Sequence, residues 1–296
     1  MFVKKITVLF FILFLFKCGF GQDKFYYSEN DYLNYEKIGN GSTNVILLHG
    51  YGASIKSWIP LTDELGTSEL TLFVFDLKGF GLSSKPRDNK YSVIDQGEIL
   101  KKFINFNNLN NIILIGHSFG GGVSLYLNAE LIKKDQSIIK KIILIDCASY
   151  KCDFPLFIKS QRIPILNRFA IFIPKKLGTK VFLRTVFYDI DKIDNDIVER
   201  YMFSLNQKGM RYPFIKTARQ MIPENYEELI NNYKNINNPV LIIWGKNDRQ
   251  ISCKIGEKLN SILLDSRLEI IDKCGHIPFE EYPEIVINLI REFINN

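Results

Sequence analysis

Histidine is scarce in this chain: 296 residues contain three, at His49, His117 and His276. Any proton-transfer site built on imidazole must use one of these positions. Cysteine is also sparse, and none of the five falls in the C-x-x-C spacing of a zinc or redox site. Long apolar runs are lacking. The N-terminal run from Ile6 to Phe16, interrupted only by Thr7, covers 11 residues, whereas a membrane-spanning helix needs about 20. There is no internal repeat, no low-complexity linker and no basic-aromatic pattern of a nucleic-acid module. These absences exclude a solenoid, a metal-cluster protein and a nucleic-acid binder. With 46% hydrophobic and 24% charged residues, the composition is that of an ordinary globular enzyme.

The N-terminus has its own pattern. Lys4 and Lys5 precede the apolar run, and the small residues Gly19 and Gly21 follow it. This is the layout of a secretory signal. Residues 1–21 are expected to be removed, leaving Gln22 first and the product exported; an uncleaved membrane anchor is the alternative. Cys18 leaves with the signal. Cys147, Cys152, Cys253 and Cys274 then remain, which permits disulfides without requiring them. The net charge of +6 is unevenly spread. Residues 150–235 hold 15 basic and 9 acidic residues, while the stretches on either side are near neutral.

Short continuous apolar segments alternate with helical patterns along the rest of the chain. The segment from Phe25 to Glu36 suggests an edge hairpin. Strands are expected at Val45–Leu48, Leu70–Phe75, Ile112–Ile115, Lys141–Asp146, Val240–Trp244 and Leu268–Ile271. Helices are expected around Trp58–Leu65, from Val93 to Phe106 behind Ser92 as N-cap, from Gly121 to Lys134, and from Glu281 to Ile294. Apolar strands alternating with helices imply a mostly parallel sheet covered on both faces. The interval from Cys152 to Asn235 breaks this rhythm with five prolines and reads as several short inserted helices.

The sequence Gly116-His117-Ser118-Phe119-Gly120 stands between an expected strand and an expected helix. A G-x-S-x-G at such a junction is a nucleophile elbow, in which a tight turn lifts a serine hydroxyl above the sheet. His276, in Cys274-Gly275-His276, follows the last expected strand, and Asp248 follows the one before it. His49-Gly50-Tyr51 ends the first core strand. On these motifs the mature chain resembles the α/β-hydrolase fold superfamily, in its serine-nucleophile form with a helical cap inserted after the sixth strand.

The resemblance implies an α/β-hydrolase core from residues 22–150 and 236–296, with a helical cap from 151–235. It implies Ser118 as nucleophile, His276 as base and Asp248 as the acid that orients the imidazole. Asp146 and Asp272 are the rival acids. The backbone amides of Tyr51 and Phe119 are the implied oxyanion donors, and His49 and His117 are scaffold. Epoxide hydrolases and haloalkane dehalogenases of this fold carry aspartate where Ser118 stands, so serine favours acyl transfer to water. The expected activity is hydrolysis of a carboxylic ester with a small hydrophobic acyl group, esterase- or monoacylglycerol-lipase-like. C–C bond hydrolysis and a non-catalytic ligand-binding receptor are the alternatives. No metal or organic cofactor is implied.

The cap segment from Lys151 to Lys180 mixes seven basic residues with aromatic and aliphatic ones. Its apolar residues are expected to roof the site. A membrane-surface contact through its basic face is the sharper expectation.

Overall fold

A computed structural model of the chain describes residues 22–66, 68–133, 137–150, 159, 175–222 and 226–296. The expected signal lies outside the described residues. So do Cys152 and most of the basic-aromatic segment that opens the expected cap. Cys147, Cys253 and Cys274 are free thiols.

The strands are β1 (Gln22–Tyr26), β2 (Tyr32–Ile38), β3 (Thr43–Leu48), β4 (Leu70–Phe75), β5 (Ile112–His117), β6 (Ile139–Ile145), β7 (Val240–Gly245) and β8 (Ser266–Ile271). They form one eight-stranded sheet in the order β1-β2-β4-β3-β5-β6-β7-β8. β1 pairs antiparallel with β2, and β2 with β4; every later pairing is parallel. This is the α/β architecture expected from the sequence, with its antiparallel hairpin at one edge.

The continuous apolar strands have a direct cause. Successive side chains of a strand point to opposite faces. Ile46, Leu48, Ile112 and Leu114 pack into the core on one side of the sheet, while Val45, Leu47, Ile113 and Ile115 pack into the core on the other. All eight are essentially inaccessible. Burying each such side chain stabilises the fold by roughly 1.5–3 kcal/mol.

Helices α1 (Ile59–Leu65), α2 (Val93–Phe106) and α3 (Phe119–Ile132) connect the early strands. α4 (Lys175–Val186), α5 (Asn195–Leu205), α6 (Arg211–Gln220) and α7 (Tyr226–Tyr233) lie between β6 and β7. α8 (Lys254–Ile262), α9 (Pro278–Glu281) and α10 (Pro283–Asn295) complete the chain. α2 starts as expected: the Ser92 hydroxyl accepts from the Asp95 amide at 3.2 Å, and the Asp95 carboxylate accepts from the Ser92 amide at 2.9 Å.

Three details differ from the sequence expectation. The helix after the elbow starts at Phe119 rather than Gly121, because Ser118 alone makes the turn from β5. The last helix is broken at Tyr282, whose φ of −142° and ψ of 60° are not helical. Pro283 disfavours the helical conformation in the residue before it. α8 is an addition to the expected helices: its start signal is the single Ser252, whose hydroxyl accepts from the Lys254 amide at 3.4 Å.

Candidate active site

The site lies above the carboxyl ends of the parallel strands. Ser118 sits at φ 50° and ψ −115°, an uncommon conformation for a residue with a side chain. Both flanking glycines are sterically required. A Cβ on Gly116 would lie 2.5 Å from the Gly120 carbonyl oxygen, and a Cβ on Gly120 would lie 2.1 Å from that of Leu48. The turn is tied down by the Ser118 amide donating to Ile145 O at 2.9 Å and the Ala148 amide donating to Ser118 O at 3.0 Å.

Three residues widely separated in sequence meet here. The Ser118 hydroxyl lies 3.0 Å from His276 Nε2, and His276 Nδ1 lies 2.7 Å from Asp248 Oδ2. A carboxylate only accepts. Nδ1 therefore carries the proton, and Nε2 is free to accept from Ser118. The Asp248 side chain is fully buried, and its Oδ1 accepts from the amides of Gln250 at 2.6 Å and Ile251 at 3.1 Å. Those amides hold its other oxygen toward the imidazole.

The rival acids occupy other places. Asp272 is exposed and ion-pairs with Lys246 at 2.6 Å. Asp146 is buried beside Asp248 but makes no bond to His276; its Oδ1 accepts from the Gly245 amide at 3.0 Å. Asp146, Asp248 and His276 are also the one cluster among the described residues with the proximity of a metal-ligand set. Both ring nitrogens of His276 are already taken by Ser118 and Asp248, which fits a proton relay better than a metal site.

The other histidines are framework. His49 Nδ1 donates to Gly50 O at 2.7 Å, and its Nε2 accepts from the Leu77 amide at 3.0 Å. Burial pushes its pKa down to about 4. His117 Nε2 donates to the His276 carbonyl at 2.8 Å, and burial holds this imidazole well below its ordinary value. It braces the loop carrying His276.

Phe119 opens α3, so its amide belongs to the first turn, whose N–H groups have no intrahelical partner. Tyr51 lines the same pocket as Ser118. Its ring stacks on Phe214 with centroids 4.5 Å apart, and its hydroxyl donates to the Phe214 carbonyl at 2.8 Å. The pocket walls include Phe182 and Val186 of α4, Tyr201 of α5, Met221 and Ile251. Among the described residues that line it, none is a lysine, arginine, aspartate or glutamate.

One supporting residue gave no signal in the sequence. The buried Glu281 carboxylate accepts from the amides of Gly275 at 2.7 Å and of Tyr188 and Asp189 at 3.0 Å each. It ties the loop before His276 to the segment that leaves α4. The His276 amide adds a bond to Val186 O at 2.6 Å. The pocket-wall residues were equally invisible, because facing Ser118 is a property of the tertiary path and not of local spacing.

The chain matches the family described as alpha/beta hydrolase fold over residues 43–283. It is 26% identical over 264 residues to the uncharacterized hydrolase YugF of Bacillus subtilis, covering 88% of this chain and 93% of that one. It is 26% identical over 273 residues to Lipase 3 of a Moraxella species, covering 92% and 81%. Among solved structures it resembles an esterase from Exiguobacterium antarcticum, with a TM-score of 0.76 at 20% identity, covering 90% and 96%. A meta-cleavage product hydrolase from Pseudomonas fluorescens matches with a TM-score of 0.74 at 20% identity, covering 90% and 94%. At this level of identity the structural likenesses speak for the fold alone.

Proposed function

Because the chain belongs to the α/β-hydrolase fold family, we propose that it is a serine hydrolase cleaving a carboxylic ester of a hydrophobic acyl group. The observation that carries this reading is the hydrogen-bonded chain Ser118–His276–Asp248 at the base of an apolar pocket. His276 Nε2 takes the hydroxyl proton as Ser118 Oγ attacks the ester carbonyl carbon. The imidazolium then protonates the leaving alkoxide, and water releases the acyl group by the same steps. Asp248 fixes the tautomer and stabilises the imidazolium. The amides of Tyr51 and Phe119 hold the oxyanion, each donor contributing about 3 kcal/mol at the transition state.

Among the described residues the lining holds no lysine, arginine, aspartate or glutamate, and its aromatic and aliphatic side chains support a hydrophobic acyl substrate. A fluorophosphonate probe separates an enzyme from a receptor of the same fold. Labelling of the native protein, lost in Ser118→Ala, is the expected result; equal labelling of both, or of neither, overturns the reading. Nitrophenyl esters of graded chain length then report the acyl preference, and a meta-cleavage dienoate assay reports the alternative bond.

We also propose that the protein is exported and that its cap touches anionic lipid. The first rests on the N-terminal pattern, and N-terminal sequencing of the mature protein should begin at Gln22. No helix among the described residues is long and apolar enough to cross a membrane. The second is supported by α4, which buries Thr179, Leu183 and Val186. Its outer face exposes Leu177 and Val181 among Lys175, Lys176, Lys180 and Arg184. Basic faces with exposed apolar side chains favour anionic membrane surfaces. Vesicles containing anionic lipid should float the protein, neutral vesicles should not, and Lys176→Glu with Lys180→Glu should abolish flotation. Charge-independent binding sinks the idea.

A further inference from the structure

Asp146 follows β6 at a fully buried position and in left-handed backbone, with φ of 42°. A non-glycine residue is held there only where its surroundings enforce it. Its Oδ1 accepts from the Gly245 amide, but its Oδ2 is shut off from solvent and has no hydrogen-bond donor among the described residues. An oxygen of Asp146, an oxygen of Asp248 and a ring nitrogen of His276 lie within 4.8 Å of one another. Two buried carboxyls this close do not both ionise at neutral pH. Asp248 is the one equipped for the charge, with the Gln250 and Ile251 amides and the His276 N–H donating to it. Asp146 has a single amide.

We infer that Asp146 is a positioning residue for the serine chemistry proposed above: it stays protonated at neutral pH and donates its Oδ2 hydroxyl to Asp248, so that two carboxyls share one proton and one negative charge behind His276. The inference rests on that chemistry for its effect on rate, whereas the location of the proton is a property of the resting protein.

The groups around Asp146 agree with this. It is faced by Asp248 after β7, by Cys274 and His276 after β8, by Glu281 at the end of α9, and by its neighbour Cys147. Burial raises both thiols, which remain neutral. Burial first, and then the negative charges of Asp248 and Glu281, hold the Asp146 carboxyl well above the ordinary carboxylate range. The consequence for His276 follows. An ionised Asp146 would place a second, uncompensated negative charge beside Asp248 and disturb the one-charge arrangement behind the imidazole. A neutral Asp146 leaves one charge, and its hydroxyl adds a donor that holds Asp248 in register with Nδ1.

Asp146→Asn keeps a neutral donor, and Asp146→Leu removes it while keeping the branched outline of the side chain. Infrared spectroscopy of protein labelled with 13C-aspartate should show a protonated carboxyl band at pH 8 that is missing in Asp146→Asn. The fluorophosphonate labelling rate of Asp146→Asn should stay within about threefold of wild type, with the midpoint of its acid limb unmoved. Asp146→Leu should label at least roughly tenfold more slowly, the loss of one hydrogen bond to a charged acceptor, while its melting temperature is unchanged or higher. Absence of the band, a downward shift of the acid limb by about one unit in Asp146→Asn, or wild-type labelling of Asp146→Leu overturns the inference. Should Asp146→Leu not fold, the band and the Asp146→Asn limb decide. Should wild type not label at all, the serine-hydrolase reading fails, while the infrared band still reports where the proton sits.

Discussion

At the scale of single residues, the site divides into groups that meet the reacting atoms and groups that hold them. The Asp248 carboxylate accepts from His276 and from two backbone amides, and its proposed part is tautomer control. Asp248→Asn should therefore lower labelling by on the order of 10⁴-fold while the melting temperature stays close to wild type. A comparable loss of both would make Asp248 structural. Gly120→Ala acts differently. Its added Cβ would fall 2.1 Å from a backbone carbonyl that cannot retreat, so loss of soluble protein is expected rather than a slow enzyme, as solubility and circular dichroism would report. Ser118, His276 and Asp248 were legible in the sequence because their chain order and motif spacing are fixed by the fold. Asp146 was legible only as a rival acid. Its relation to Asp248 depends on how the ends of β6 and β7 lie together, and no spacing encodes that.

At the scale of elements, local rules predicted what local physics controls. The apolar strands and the Ser92 cap of α2 were readable because burial on both faces and capping each leave a residue-type signature. Ser92→Ala should cost about 1 kcal/mol of stability with labelling unchanged, measured by urea unfolding. Glu281 is the contrasting case. Its carboxylate bridges the His276 loop and the end of α4 through three backbone amides, and a buried amide left unpaired costs roughly 1–3 kcal/mol. Glu281→Ala should lower stability and labelling together; an effect on stability alone would show that the bridge does not position His276. Nothing in Phe279-Glu280-Glu281 marks the second glutamate, because its partners come from segments about 90 residues apart. The pocket walls from α4 and α5 were hidden for the same reason: an amphipathic pattern tells which face is buried, not what it is buried against.

At the scale of the whole molecule, burial decides how folding depends on pH, and the buried groups pull in opposite directions. Burial lowers His49 to about 4 and raises Asp76 to about 6 and Glu280 to about 7, the last against the opposing pull of Arg200. A histidine with a lowered folded pKa is protonated first in the unfolded chain. Its stabilising contribution is complete above about pH 6.5 and is lost as pH falls toward 4. A carboxyl with a raised folded pKa holds its proton longer in the folded chain, so its contribution is greatest below the ordinary carboxylate range and is lost as pH rises through 6 to 7. Between pH 4 and 6.5 the two effects oppose each other, and the wild-type profile should be flatter there than either alone would make it. His49→Gln keeps an amide donor and an acceptor but removes the titration. For a fully buried group displaced from 6.5 to about 4, the histidine accounts for about 3 kcal/mol between pH 7 and pH 4. The variant should therefore lose about that much less stability than wild type over this interval, measured by urea unfolding at both pH values. Parallel profiles would mean that His49 accepts a proton as readily folded as unfolded, which its bond from the Leu77 amide to Nε2 forbids.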